Sequence, residues 1–336
     1  MSNVTPSTVA ERNNIADEFR ALTTGCGTYE LKRGRIVLTG GDRVRWMNGM
    51  VTNNVRDLAV GHGVYGFLLN PQGHPQADLY VYNRGDSLVV DTDLSHVQRV
   101  LGIFDHYIIM DDVEVEDRSE KTKALGVAGP RAKQVLHDVG IAFDDLTSLQ
   151  FTDVAWRDVL LTITRTDNEA VESYEIQGEP AIILPLLQAL PEAGIVSVSD
   201  AALEFLRVAS GIPRYGQDIR DRDLPQETEQ ARALHFSKGC YIGQEIVERI
   251  RSRGNVHRKF TGFKVQDGIV NPGSKIQFDG KEIGEITSAA TLPTAQADLT
   301  LALGYVRREF GNPGTQVVTG DARLEVAALP FKEAFH

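Results

Sequence analysis

Phe67 to Asp91 reads FLLNPQGHPQADLYVYNRGDSLVVD. Three strand-like runs, FLLN, QADLYVY and SLVVD, are cut by two turn clusters, Asn70-Pro71-Gln72-Gly73 and Asn83-Arg84-Gly85-Asp86. Turn residues of this kind reverse the chain, so the stretch predicts strands joined by short connections. Working outward, RIVLT from Arg35 predicts a strand, and Gly40-Gly41-Asp42 leads into a helix with Val44, Met47 and Val51 on one face. A helix near 95–104 and the strand-like VEVED complete a β-α-β-β-β-α-β order. The order recurs downstream. A strand over 124–128 is followed by a helix with Pro130 at its start and Ala132, Val135, Leu136 and Val139 at helical spacing. Strands near 151–155, 159–165 and 171–176, a helix over 181–190 and IVSVS close the second set. Two α+β domains in tandem are expected, each a sheet covered by helices.

Ser199 to Gly211 predicts a further helix, capped at its start and stopped by Gly211 with Pro213 beyond. From Lys259 helical periodicity disappears and short strands recur, with Asp279-Gly280 as a two-residue hairpin signal between KIQF and KEIG. This last part reads as a small β-barrel or sandwich. The expected boundaries are a mobile N-terminal arm over 1–29 and a first domain over 30–119, completed by about 200–255. The second domain is expected over 120–199 and the β domain over 256–336.

The chain has 336 residues, 42% hydrophobic and 24% charged, which excludes a disordered or collagen-like protein. With 35 basic against 46 acidic residues the formal charge is −11, and this balance argues against nucleic acid and anionic membranes as partners. Two cysteines, Cys26 and Cys240, are too few for a disulfide framework or a cysteine-rich metal site. No apolar run has the length of a secretory signal or a membrane span. A cytoplasmic, soluble chain is expected, with no metal site of its own, and a monomer rather than an oligomer. Gly61-His62-Gly63-Val64-Tyr65-Gly66 matches a dinucleotide-binding spacing, but a strand follows it where that motif needs a helix.

The segment from Lys238 to Glu245, KGCYIGQE, is the sharpest local feature. Ile242, Ile246, Val247 and Ile250 predict a helix starting at about Tyr241 or Ile242. A cysteine just before a helix N-terminus and two residues from a lysine sits in positive potential that favours thiolate. The residues leave two readings open, a reactive thiol or a small core cysteine. Arg249, Arg251, Arg253, Arg258 and Lys259 follow within a short span. They form either a site for a carboxylate, phosphate or RNA, or a solvated charged face.

KGCYIGQE resembles the signature of the YgfZ group within the family of the glycine-cleavage T-protein, which binds tetrahydrofolate. The run IVLTGGDRVRWMNGMVTNNVRDLAVGHGVYGFLLNPQGHPQADLYVY is similar to that family's opening domain. VAGPRAKQVL is similar to the start of its second domain, and LRVASGIPRYGQDI with Leu224-Pro225-Gln226-Glu227 to the stretch before the signature. The resemblance implies a three-domain clover-leaf with a central channel for tetrahydrofolate or a derivative. It implies a folate-binding accessory factor for assembly or repair of iron–sulfur clusters, with iron–sulfur client or assembly proteins as partners, acting through Cys240. The alternative within the family is a tetrahydrofolate-dependent aminomethyl or one-carbon transferase. Cys240, Lys238 and Asp78 are the expected catalytic groups, Lys238 lowering the thiol's pKa. Asn53, Asp78, Tyr241, Gln244, Glu245, Arg249 and Arg258 are the expected cofactor-binding groups. The family's Asp-Asp pair is Ala77-Asp78 here, and the glutamate of its helix ending in Gly is replaced by Ala209.

Overall fold

A computed structural model describes residues 9–192, 194–254, 256–294 and 297–335. In chain order the elements begin with helix α1 (Val9–Thr24) and strands β1 (Gly27–Leu31) and β2 (Arg33–Thr39). Helix α2 (Arg43–Met50), strands β3 (Gly63–Leu69), β4 (Pro75–Asn83) and β5 (Leu88–Asp93), helix α3 (Val97–Tyr107) and β6 (Glu114–Asp117) follow. The second set is β7 (Lys123–Ala128), α4 (Ala132–Asp138), β8 (Phe151–Trp156), β9 (Val159–Arg165), β10 (Ser173–Gly178), α5 (Pro180–Glu192) and β11 (Val196–Ser197). Helix α6 (Asp200–Ala209) and a long linker lead to α7 (Gln244–Arg253). Six strands end the chain: β12 (Arg258–Asp267), β13 (Lys275–Phe278), β14 (Lys281–Leu292), β15 (Leu299–Arg307), β16 (Gln316–Thr319) and β17 (Ala322–Ala327).

The first sheet has the order β3-β4-β5-β2-β6, the second β11-β1-β7-β10-β9-β8, and the last six strands close into a barrel. The tandem α+β reading therefore holds, and of barrel or sandwich the barrel is the outcome. Only Lys32 separates β1 from β2, yet these strands belong to different sheets. The two sheets are thus tied at the point where the chain passes from one to the other.

Period-two alternation sorts the first sheet into two faces. Ala77, Leu79 and Val81 of β4, with Ile36, Leu38, Leu68, Leu88 and Val90, are buried against Trp46, Met47 and Met50 of α2 and Val97, Val100 and Phe104 of α3. Gln76, Asp78 and Tyr80 fall on the opposite face. At the barrel, Asp279 and Gly280 take φ of 48° and 74° in the β13–β14 hairpin. Both central residues of a type I′ turn need positive φ, which explains this dipeptide.

For residues 9–29 the expectation of a mobile arm over 1–29 is corrected by helix α1 and strand β1, while residues 1–8 lie outside the described residues. Ile15, Phe19 and Leu22, at i, i+4 and i+7, are buried with Ala202, Phe205 and Leu206 of α6, and the Phe19 and Phe205 rings meet edge to face at 4.9 Å. Glu18 accepts from the Ser199 backbone N–H at 2.9 Å, fastening α1 to the start of α6. The apolar stripe of α1 thus has a partner that lies far along the chain. Among the described residues, no helix is long and apolar enough to cross a membrane.

Candidate functional site

The face of the first sheet turned from α2 and α3 carries Asp78 between two tyrosines. Tyr65 on β3 donates its hydroxyl to Asp78 Oδ2 at 2.9 Å, and the Tyr65 and Tyr80 rings lie 5.0 Å apart. Burial pushes the Asp78 carboxyl above its ordinary range, against the Tyr65 hydrogen bond and the charges of His96 and Arg33. A carboxylate has room for several donors, and Tyr65 occupies one place. Asn53 Nδ2 donates to the carbonyls of Tyr65 and Arg232, both at 2.8 Å, so it ties the linker to β3. The Arg232 guanidinium lies 4.5 Å over the Tyr65 ring and pairs with Asp167, which accepts from the Tyr80 hydroxyl at 3.2 Å.

Beside this group the two sheets meet through a cluster of charges, and further along through the Tyr82 and Phe151 rings, 5.9 Å apart. Arg35 grips Asp91 with two hydrogen bonds of 2.9 and 2.8 Å, and Arg33 Nε donates to Glu175 at 3.1 Å. Gln177 Nε2 on β10 donates to both carboxylates, at 2.9 Å to Asp91 and 3.1 Å to Glu175. Asp91, Glu175 and Gln177 are all buried. Each buried carboxylate has a guanidinium partner and a further donor, the condition under which buried charge is tolerated.

The octapeptide takes a different shape from the one expected. The helix starts at Gln244, and Gly243 before it has φ of 80°. A Cβ on Gly243 would lie 2.7 Å from the Asn70 carbonyl oxygen, and one on Gly73 would lie 2.7 Å from Ile246 Cβ. The turn at 70–73 therefore seats the start of α7, and both glycines are needed for close approach and positive φ. Cys240 consequently sits four residues ahead of the first helical residue and is exposed. Lys238 is also differently placed. Its Nζ donates to the carbonyls of Asn48, Val51 and Asn53 at 2.5, 2.6 and 2.6 Å, none of them in the thiol's own loop. Burial, with the like charge of Arg56, pushes the Lys238 ammonium down to about 7, while three carbonyl acceptors favour its charged form. Lys238 pins the loop to the end of α2.

Tyr241 is buried in the apolar layer that includes Tyr65 and Phe67, on the same side of the sheet as Asp78, while Ile242 packs against the helix-covered core. Gln244 is half-buried, and Glu245 and Arg249 are exposed on α7. Arg258, expected as a cofactor ligand, donates to Glu227 at 2.7 Å and Asp223 at 3.2 Å and lines a cleft of about 720 Å³ between linker and barrel. Its guanidinium is committed to two carboxylates that no local pattern announced. The basic run is divided in the same way: Arg251 stacks 4.5 Å over Phe236 and pairs with Glu248, and the Arg253 side chain lies outside the described residues. Ala209 is fully buried among Phe205, Phe260 and Phe331, an apolar setting for the position the family fills with glutamate. Tyr65, Tyr80, Asp167 and Arg232 escaped the sequence reading. Only Tyr80 had a signal, its two-residue spacing from Asp78.

The two cysteines differ in environment. Burial pushes the Cys26 thiol up to about 11, against the nearby Arg131 charge, whereas Cys240 is exposed. Since the thiolate is the nucleophile, iodoacetamide at pH 8 should label one cysteine of the native protein, and peptide mapping should find it at 240. Equal labelling of both would contradict this placement.

Two helix-covered sheets and a closed barrel, with an aromatic and acidic face on the first sheet, define a three-domain α+β and β-barrel protein. Family models agree. The GCVT N-terminal domain matches residues 6–238 and the glycine cleavage T-protein C-terminal barrel domain residues 258–335, so the chain belongs to the glycine-cleavage T-protein family. It is 28% identical to an aminomethyltransferase of Halothermothrix orenii, over 95% of this chain and 91% of the relative. It is 29% identical to an aminomethyltransferase of Bacillus velezensis, over 96% and 90% of the two chains. The crystal structure of glycine cleavage system aminomethyltransferase T from Bartonella henselae shares the fold, with a TM-score of 0.85 at 22% identity over 94% of this chain and 89% of that one.

Proposed function

We propose that the chain binds a reduced folate against the Tyr65–Asp78–Tyr80 face and uses it in one-carbon transfer, the chemistry named for its aminomethyltransferase relatives. The observation that carries this reading is the Asp78 carboxyl, which accepts from the Tyr65 hydroxyl beside the paired Tyr65 and Tyr80 rings and which burial raises. Such a group suits a flat heterocycle with N–H donors: the half-buried Tyr80 ring offers aromatic contact and the carboxylate a charge-assisted acceptor. A bound reduced folate would supply the nitrogen atoms that carry the one-carbon unit. Asp78 would orient a ligand N–H and hold or accept its proton, and a carboxyl with a raised pKa is suited to that exchange. The test is calorimetric titration with tetrahydrofolate, followed by turnover with an aminomethyl donor. Saturable binding and folate-dependent turnover support the reading, and absence of both overturns it.

A second reading is favoured by the exposure of Cys240 in a loop pinned by Lys238. In it the same folate site serves an accessory factor for iron–sulfur cluster assembly or repair, as the likeness of KGCYIGQE to the YgfZ signature suggests, with client proteins meeting the thiol. Cys240→Ala should then leave folate affinity unchanged while lowering the activity of iron–sulfur enzymes in cells that depend on this protein. Full support of those enzymes by the variant would remove this reading and leave the transferase.

A further inference from the structure

The Arg232–Asp167 pair links the linker to the β9–β10 connection of the second sheet over the Tyr65 ring, and the backbone under Arg232 is held by two hydrogen bonds. Its own carbonyl accepts from Asn53 Nδ2 at 2.8 Å, and the carbonyl of Ala233 accepts from Thr52 Oγ1 at 2.6 Å. The side chain then extends over the Tyr65 ring to Asp167, with Nε donating to Gln230 Oε1 at 3.2 Å. The pair is partly open to solvent, the Arg232 side chain being 33% exposed and that of Asp167 13%. A partly solvated ion pair is weakly held, and a guanidinium accepts one carboxylate in place of another with the same fork geometry.

From this arrangement we infer that Arg232 is a specificity-determining residue. It leaves Asp167 for a carboxylate carried by the ligand, so that the site selects flat aromatic ligands with an acidic tail. This inference rests on the folate reading of the same face. A fixed backbone and a side chain that reaches across the aromatic platform let the guanidinium turn without moving the linker. Asp167 keeps the Tyr80 hydroxyl as a donor when Arg232 departs, so its carboxylate is not left bare. The exchange therefore replaces one charge-assisted bond by another and favours ligands that bring their own carboxylate.

The experiment is calorimetric titration of the full chain with 5-formyltetrahydrofolate, which has a carboxylated tail, and with 6-methyltetrahydropterin, which lacks one. Wild type should bind the tailed ligand about 10- to 100-fold more tightly, the usual effect of a hydrogen bond to a charged group. Arg232→Gln should abolish that preference, because the guanidinium that meets the tail is gone. Asp167→Asn should bind the tailed ligand at least as tightly as wild type, since the competing carboxylate is gone. A preference that survives Arg232→Gln, or an Asp167→Asn variant weakened as much as Arg232→Gln, overturns the exchange while the folate reading stands. Equal affinity of wild type for the two ligands overturns it as well. Binding of neither ligand by wild type refutes the folate reading itself, and the inference falls with it.

Discussion

Asp78→Asn should lower folate-dependent turnover by ~10²- to 10⁴-fold, the range expected for loss of a positioned proton-transfer group. Asparagine keeps the shape and still accepts from the Tyr65 hydroxyl, so the fold and the aromatic pair should be retained. What disappears is the charge, and with it the capacity to take a proton from a ligand nitrogen. Initial rates with an aminomethyl donor and tetrahydrofolate measure the loss, and circular dichroism checks the fold. Because burial raises the Asp78 pKa, the acid limb of the wild-type profile should lie above the ordinary carboxylate range and vanish in the variant. Turnover equal to that of wild type would remove Asp78 from the chemistry.

Asp218→Ala should produce the largest loss of stability, about 3–5 kcal/mol, which is the usual result of removing one partner from a buried ion pair. Asp218 is fully buried in the linker and accepts from Arg207 Nη1 at 2.7 Å, the Arg214 backbone N–H at 2.9 Å and Ser288 Oγ at 2.7 Å. Thr287 Oγ1 donates to it as well. One carboxylate thus joins α6, the linker and β14 of the barrel. Without it the Arg207 guanidinium, 12% exposed, keeps Glu204 as its acidic partner among the described residues, the Ser288 hydroxyl loses its acceptor and Thr287 keeps the Leu303 carbonyl at 3.3 Å. The urea midpoint should fall with little change in slope if unfolding stays cooperative. Asp218→Asn, which retains acceptors for the hydroxyls, should cost less. A loss below about 1 kcal/mol in the alanine variant would show that the hub is dispensable, since surface pairs reach that value.

Much of the fold was legible because its signals are local. The turn clusters at 70–73 and 83–86 sit where β3, β4 and β5 are separated, and Asp279-Gly280 forms the hairpin its dipeptide announces. The site was legible only in part. Asp78 lies on the face opposite the covering helices, Asn53 bonds the edge strand β3, and Tyr241 packs with Tyr65 and Phe67. Lys238 was noticed for the wrong partner, because closeness in sequence to Cys240 says nothing of the three carbonyls it meets some 190 residues away. Arg258 is expected as a cofactor ligand, yet Asp223 and Glu227 neutralise it. The helix start was misplaced by two or three residues because Gly243 has to turn left-handed under Asn70 before α7 begins. Alpha-helix α1 was read as an arm because the partner that covers its stripe, α6, is separated from it by two domains.

The sequence by itself determined the order of elements within the two sheet domains from β2 onward, the alternation that turns Asp78 away from the core of the first sheet, and the run of short strands at the end of the chain. These follow from spacing and turn chemistry within a few residues. Only the tertiary structure decided what Asp78 faces. The seam that joins the sheets pairs Arg33 with Glu175, 142 positions apart, and the strap over Tyr65 pairs Arg232 with Asp167, 65 positions apart. A charged side chain carries no local mark of its partner. Its role is set by which strand and loop the fold brings within reach, and by how much water the packing leaves between them.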